Sequence, residues 1–130
     1  EIDLGAFASP LHIDTVEWFA SARDLCRAMD SLRRASDDGD AARARALLAI
    51  NPGTIPPRGA FEFTGFKGGS EPGVMNLTWL AHSTGGTWYA IAATWNDSEA
   101  VLDEARFAAL ASRALFLIAK AEQEPSDAGD

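Results

Sequence analysis

The chain has 130 residues, 47% of them apolar, and a net charge of −8. That length suits one domain able to bury a core, and the apolar fraction with four tryptophans argues against disorder. The charge disfavours nucleic acid or an anionic membrane surface as partner, because binding phosphates takes clustered lysine and arginine; an anionic small ligand needs only one or two local cations.

No apolar run approaches the length of a membrane span. The single cysteine, Cys26, allows no internal disulfide. No signal peptide is visible, and the chain begins at Glu1 rather than Met. The expectation is one domain, or part of one, over residues 1–130, whose start is a processed or internal end.

Residues 1–13 show no clean period and read as an irregular lead-in. A helix is expected between about Asp14 and Arg34. Ser21 suits its N-cap, with Asp24 three residues on in the position of a capping box. Leu25, Ala28, Met29 and Leu32 recur at helical spacing, with arginines between them. Trp18 and Phe19 precede the cap and are placed to staple the entry. A second, shorter helix is expected over Ala41 to Ile50, ending at Asn51-Pro52-Gly53. Thr54 to Gly59, with Pro56 and Pro57, reads as a stiff connector.

Ala60 to Lys67 reads as a strand with Phe61 and Phe63 on one face. Phe66 falls out of phase after Gly65, which predicts a bulge or close backbone approach there. Lys67 to Gly73, with three glycines and Pro72, reads as a turn. Val74 to His82 alternates: Met75, Leu77, Trp79 and Ala81 on one face, Asn76, Thr78 and His82 on the other. Ser83-Thr84-Gly85-Gly86 is a hairpin turn. Thr87 to Asn96 is apolar on both faces, which predicts cover on both sides. From about Asp103 to Ala121 a helix is apolar almost all round, so most of its circumference is expected to be buried. Glu122 to Asp130 is an acidic tail expected to fray. The expected class is α+β: two helices, then three antiparallel strands in a meander, then a long apolar helix laid across the sheet.

The chemistry concentrates at Lys67-Gly68-Gly69-Ser70. Lys67 and Lys120 are the only lysines. Glycines after Lys67 let a ligand approach the backbone closely. The ammonium attracts an anion, and Ser70 can donate a hydrogen bond. The plain alternative is a solvated lysine before an ordinary glycine turn. Other groups have simpler readings. His12 and His82 lack partners at metal spacing, so no metal site is expected, and His82 reads as a surface residue at a strand end. Cys26 lies beside the apolar stripe of its helix and reads as a buried, inert thiol. Asp103 and Glu104 suit the positive end of a helix dipole. Asn76-Leu77-Thr78 and Asn96-Asp97-Ser98 match a glycosylation pattern, the first inside a strand. No cofactor is expected.

The block Phe-Lys-Gly-Gly-Ser-Glu-Pro-Gly-Val-Met-Asn-Leu-Thr-Trp-Leu, the strand Trp88–Asn96 and Asp103-Glu104-Ala105-Arg106-Phe107 with its apolar helix resemble the C-terminal part of serine beta-lactamases and penicillin-binding proteins. In that family a strand carries Lys-Thr-Gly or Lys-Ser-Gly, followed by two antiparallel strands and a long helix. Lys67-Gly68-Gly69 is similar to that box, and Ser21-Ala22-Arg23-Asp24-Leu25 resembles the family's helix start upstream of it. The resemblance spans roughly Trp18 to Ala121. It implies that Lys67 and Ser70 serve carboxylate recognition, with the Ser70 backbone N–H as oxyanion donor, and that Gly68 and Gly69 line the same substrate-binding edge. It implies a beta-lactam, a D-Ala-type peptide or a related ester or amide as substrate, and an extracytoplasmic location.

Two departures stand out. No serine in the chain is followed by lysine at the third position, and there is no Ser-Asp-Asn or Ser-x-Asn triplet. Gly68 stands where the family has a hydroxyl residue. The expectation is therefore the C-terminal portion of such a hydrolase, inactive alone, with no catalytic residue of its own. It would self-associate or pair with an N-terminal half. The alternative is a non-catalytic binding or oligomerisation module that kept the sheet and lost the chemistry.

Overall fold

The computed structural model describes residues 8–16, 18–35 and 39–123. The element order is α1 (Ala22–Arg34), α2 (Gly39–Ala49), β1 (Phe61–Glu71), β2 (Val74–Ser83), β3 (Trp88–Asn96) and α3 (Glu104–Gln123). The strands form one antiparallel sheet in the order β1-β2-β3. The expected α+β class and meander are thus observed. Within the described residues no helix is long and apolar enough to cross a membrane. The acidic tail expected over residues 122–130 lies outside the described residues except for Glu122 and Gln123.

Helix α1 starts later than expected. Asp14 to Val16 and Trp18 to Ala20 are not helical, and Ser21 is the N-cap. The capping box is complete: Ser21 Oγ accepts from the Asp24 N–H, and the Asp24 carboxylate accepts from the Ser21 N–H. The Ser21 hydroxyl, which donates to Asp24 Oδ2 at 2.6 Å, and then the Ser21 N–H hold the Asp24 carboxyl below its usual range. The expected staple does not form. Trp18 is 100% exposed and Phe19 is also exposed. The end of α1 is tied to α2 by Arg45, whose Nη1 donates to the Leu32 carbonyl at 2.7 Å and the Ala35 carbonyl at 3.4 Å. A cation on the last carbonyls of a helix also suits its dipole.

The main correction concerns β1. It runs through Lys67-Gly68-Gly69-Ser70 to Glu71, so the box lies on a strand and not in a turn. Each box residue pairs with β2: Lys67 with Thr78, Gly68 with Leu77, Gly69 with Asn76 and Ser70 with Met75. The turn is confined to Pro72 and Gly73. Proline followed by glycine at φ +82° is the combination of a type II turn. The irregularity predicted at Gly65 falls instead between Phe61 and Phe63, where the register shifts. Phe66 and Phe63 therefore lie on opposite faces. Gly65 is needed for another reason: a Cβ there would meet Leu48 of α2 and the Phe63 ring.

Directly paired residues share a face, which assigns the two layers. Met75, Leu77, Trp79 and Ala81 lie with Phe66, Tyr89, Ile91 and Ala93 against Ala111 and Leu115 of α3. Helix α2 lies along β1, and the chain after it crosses to Phe66 and Trp79 on this face, while α1 covers the opposite face. There the expected polar positions of β2 are not solvated: Thr78 is buried, and its hydroxyl donates to Asn76 Oδ1 at 2.9 Å. Asn76 in turn donates to the Ala93 carbonyl. His82 is likewise not a free surface residue. It stacks on Trp88 with centroids 4.4 Å apart and lies 3.3 Å from Glu62. The Cys26 thiol, half-buried, donates to the Ala90 carbonyl at 3.4 Å.

The apolar helix α3 is buried along one stripe only. Ala111, Leu115 and Ala119, four apart, are buried, while Leu110, Phe116 and Leu117 are exposed. A helix resting on a sheet hides one stripe, and no further described layer covers the rest. Strand β3 has helices on both faces, as predicted, yet its residues are half-buried or exposed because it is an edge strand. Asp103 caps α3, its carboxylate accepting from the Arg106 N–H at 3.0 Å.

The far end of α3 is latched to the β2–β3 hairpin. Tyr89 Oη donates to the Glu122 carboxylate, and bonds from Tyr89 and Ser83 hold the Glu122 carboxyl below its usual range. The same contact raises the Tyr89 phenol. A lowered folded carboxyl value stabilises the fold above the unfolded carboxyl range, and that stabilisation is lost as pH falls through the folded value. A raised phenol contributes below the unfolded phenol range and is lost as pH rises through its folded value. Glu122→Gln is therefore expected to lower the urea midpoint at neutral pH. The difference from wild type should close as pH drops below the ordinary carboxyl range; a pH-independent difference would show that the latch is not ionic.

Candidate functional site

The sheet hydrogen-bonds β1 to β2 alone, so one edge of β1 is open among the described strands. The two-residue turn closes on Glu71 paired with Val74. In such a hairpin the closing pair exchanges hydrogen bonds, and the pairs then alternate. Ser70–Met75 and Gly68–Leu77 are consequently the non-bonded pairs. Their β1 members turn N–H and C=O away from β2, toward the open edge. Lys67 Nζ confirms this direction by folding over the edge to donate to the Gly68 carbonyl.

The structure thus brings Lys67, Gly68, Gly69 and Ser70 together on 4 consecutive positions of one strand edge, as the register requires. Lys67, Gly69 and Ser70 are exposed. A Cβ on Gly69 would meet nothing within 4 Å, so open space lies above that backbone. Gly68 is different: a Cβ there would lie 2.7 Å from the Phe66 ring. Glycine at position 68 is thus matched by a phenylalanine packed over the strand.

Beside this edge runs a groove of ≈540 Å³. Its walls are Phe66, Met75 and Leu77 from the sheet and Leu47, Ile50 and Asn51 from the end of α2. Lys67 is its one charged lining residue. The arrangement can hold an anion at Lys67, give hydrogen bonds from the outward amides of Gly68 and Ser70, and pack an apolar body on Phe66 and Met75. It supplies no activated nucleophile. Ser70 has no side-chain hydrogen bond among the described residues, and His82 pairs with Trp88 at the other end of the sheet. Among the described residues no 3 His, Cys, Asp or Glu side chains gather in a metal-binding group.

Residue types alone did not reveal the α2 wall. Leu47 belongs to α2 and Ile50 follows its last residue, about 20 positions before Lys67. The only local hint is Asn51-Pro52-Gly53, which breaks that helix. The Asn51 side chain accepts from the Gly53 N–H, and Gly53 at φ +70° lets the chain cross close over Phe66. The Pro52 carbonyl then accepts from Trp79 Nε1 at 2.9 Å, fixing the end of α2 against the sheet. No family model matches the chain, and no curated protein sequence matches it.

Proposed function

We propose that this chain is the C-terminal portion of a beta-lactamase-like serine hydrolase and supplies the Lys-Gly-Gly strand of its substrate-binding edge. One observation carries the reading: the box lies on an open strand edge, with the amides of Gly68 and Ser70 turned outward beside the one lysine of an apolar groove. In the proposed site Lys67 attracts the carboxylate of a beta-lactam or peptide-like substrate. The Ser70 N–H donates to the acyl oxygen as negative charge develops there. Acyl transfer also needs a nucleophile; the sequence has no Ser-x-x-Lys, so in this reading that group belongs to another segment or chain.

The test uses the chain itself. Benzylpenicillin is expected to shift the backbone amide signals of Gly68 and Ser70 without forming a covalent adduct, and Lys67→Ala should weaken that binding about tenfold. Shifts elsewhere, or no effect of Lys67→Ala, would refute the site. A covalent adduct detected by mass would refute the absence of a nucleophile.

The second reading, a pairing module without chemistry, is favoured by the exposed Leu110, Phe116 and Leu117 of α3 and by the open edges of the sheet. Contiguous apolar surface and free edges invite association. Sedimentation is expected to show self-association rising through the micromolar range; a clean monomer throughout would count against pairing of identical chains.

A further inference from the structure

Helix α3 rests on the sheet through Ala111, Leu115 and Ala119. At about 3.6 residues per turn, the stripe directly opposite holds Arg106, Leu110, Arg113, Leu117 and Lys120. Cations and leucines alternate along it in steps of four and three residues, the spacing of a helix–helix seam. The two leucines are 62% and 53% exposed, and the exposed Phe116 borders them. Arg106 and Arg113 make no ion pair among the described residues. Glu104, in the first turn, is the one exposed carboxylate of the helix, because Glu122 is turned to Tyr89. A cationic and apolar face thus stands on a chain of net charge −8.

We propose that this stripe docks an acidic amphipathic helix of a partner protein. That helix sets Asp or Glu against Arg106 and Arg113, and aliphatic side chains against Leu110 and Leu117. Charge complementarity selects an acidic partner. The spacing selects a helix, since an extended strand repeats every second residue. A second copy of α3 does not fit: it brings another row of cations to the seam and no carboxylate to meet them, and like charges repel. An anionic membrane surface fits poorly as well. A helix lying in a membrane interface keeps its cations on a separate polar face, whereas here they lie in line with the leucines. The inference rests on the second reading above, in which α3 is an interaction face, and names its partner; pairing of identical chains is left to the strand edges.

The experiment titrates the full chain with a synthetic helix as long as α3, blocked at both ends, whose one face alternates glutamate and leucine in the same steps. Saturable shifts of the α3 amide signals are expected by NMR, with affinity falling as salt rises. A second peptide with lysine in place of each glutamate should not bind. The double variant Arg106→Glu, Arg113→Glu should weaken the acidic peptide about tenfold and take up the lysine peptide instead. Both side chains are exposed, so its thermal midpoint should stay near that of wild type. No saturable binding, equal binding of the two peptides, or unchanged affinity in the double variant would overturn the proposal. Recruitment to phosphatidylserine vesicles without peptide binding would also overturn it, in favour of a lipid surface. Self-association without peptide binding would overturn it and leave the pairing of identical chains standing, whereas a monomer that binds the acidic peptide would support it and count against that pairing.

Discussion

Replacing Trp79 by alanine is expected to cost about 4 kcal/mol. The indole is 1% exposed at the centre of β2, the middle strand. It packs on Phe66 with centroids 5.1 Å apart and joins Leu77, Ala81, Ala111 and Leu115 in the core. Truncation leaves a large cavity that a sheet held on both sides cannot close. It also removes the donor to the Pro52 carbonyl, which anchors the end of α2. A domain of this size has roughly 5–15 kcal/mol in total, so the variant should be close to unfolded at room temperature. Trp79→Phe separates the two contributions: it keeps most of the packing and loses the hydrogen bond, worth about 1 kcal/mol. Urea denaturation followed by circular dichroism measures both. A loss under about 1 kcal/mol for Trp79→Ala would mean that the core is not organised around this residue.

Gly73→Ala is expected to be the most damaging change near the site, because this turn glycine is buried. Gly73 has φ +82°, which costs a residue with a Cβ about 1–2 kcal/mol. The added carbon would also lie 2.4 Å from the Asp97 carbonyl oxygen and 2.6 Å from the Pro10 ring. Backbone is the obstacle on one side, so a simple side-chain adjustment cannot relieve it. The Asp97 N–H donates to the Gly73 carbonyl at 2.8 Å, so moving the turn also strains that tie to the end of β3. A loss of at least about 2 kcal/mol is expected in denaturation. Because this turn sets the phase of the β1–β2 pairing, the amide signals of Gly68 and Ser70 should shift even though neither residue touches position 73. Gly69→Ala is the control. Position 69 has open space and an ordinary strand conformation, so little stability should be lost there.

Legibility in the sequence followed the range of the interactions. The α1 cap was readable because Ser21 and Asp24 are 3 residues apart and satisfy each other. The alternation of β2 was readable because a strand's period is built into its residues, and Met75, Leu77, Trp79 and Ala81 do face one layer. The extent of β1 was misjudged. Gly68, Gly69 and Ser70 carry turn propensity, yet pairing with Leu77, Asn76 and Met75 holds them extended. Tertiary hydrogen bonding overrides propensity there. Trp18 and Phe19 depart from the local reading too: large aromatics before a cap suggest a staple, but both lie outside the core.

By itself the sequence determined the α+β class, the order of elements, the presence of two hairpins and the position of the only strand lysine. These depend on local periodicity, on caps and on Pro-Gly and Gly-Gly punctuation, all set by neighbours along the chain. Only the tertiary structure decided that Lys67-Gly68-Gly69-Ser70 is an open strand edge rather than a turn. It also decided that α2 walls the groove beside that edge, and that α3 hides one stripe while leaving Leu110, Phe116 and Leu117 exposed. Those outcomes depend on which distant segments reach the sheet and from which side, and no local pattern of residues encodes that.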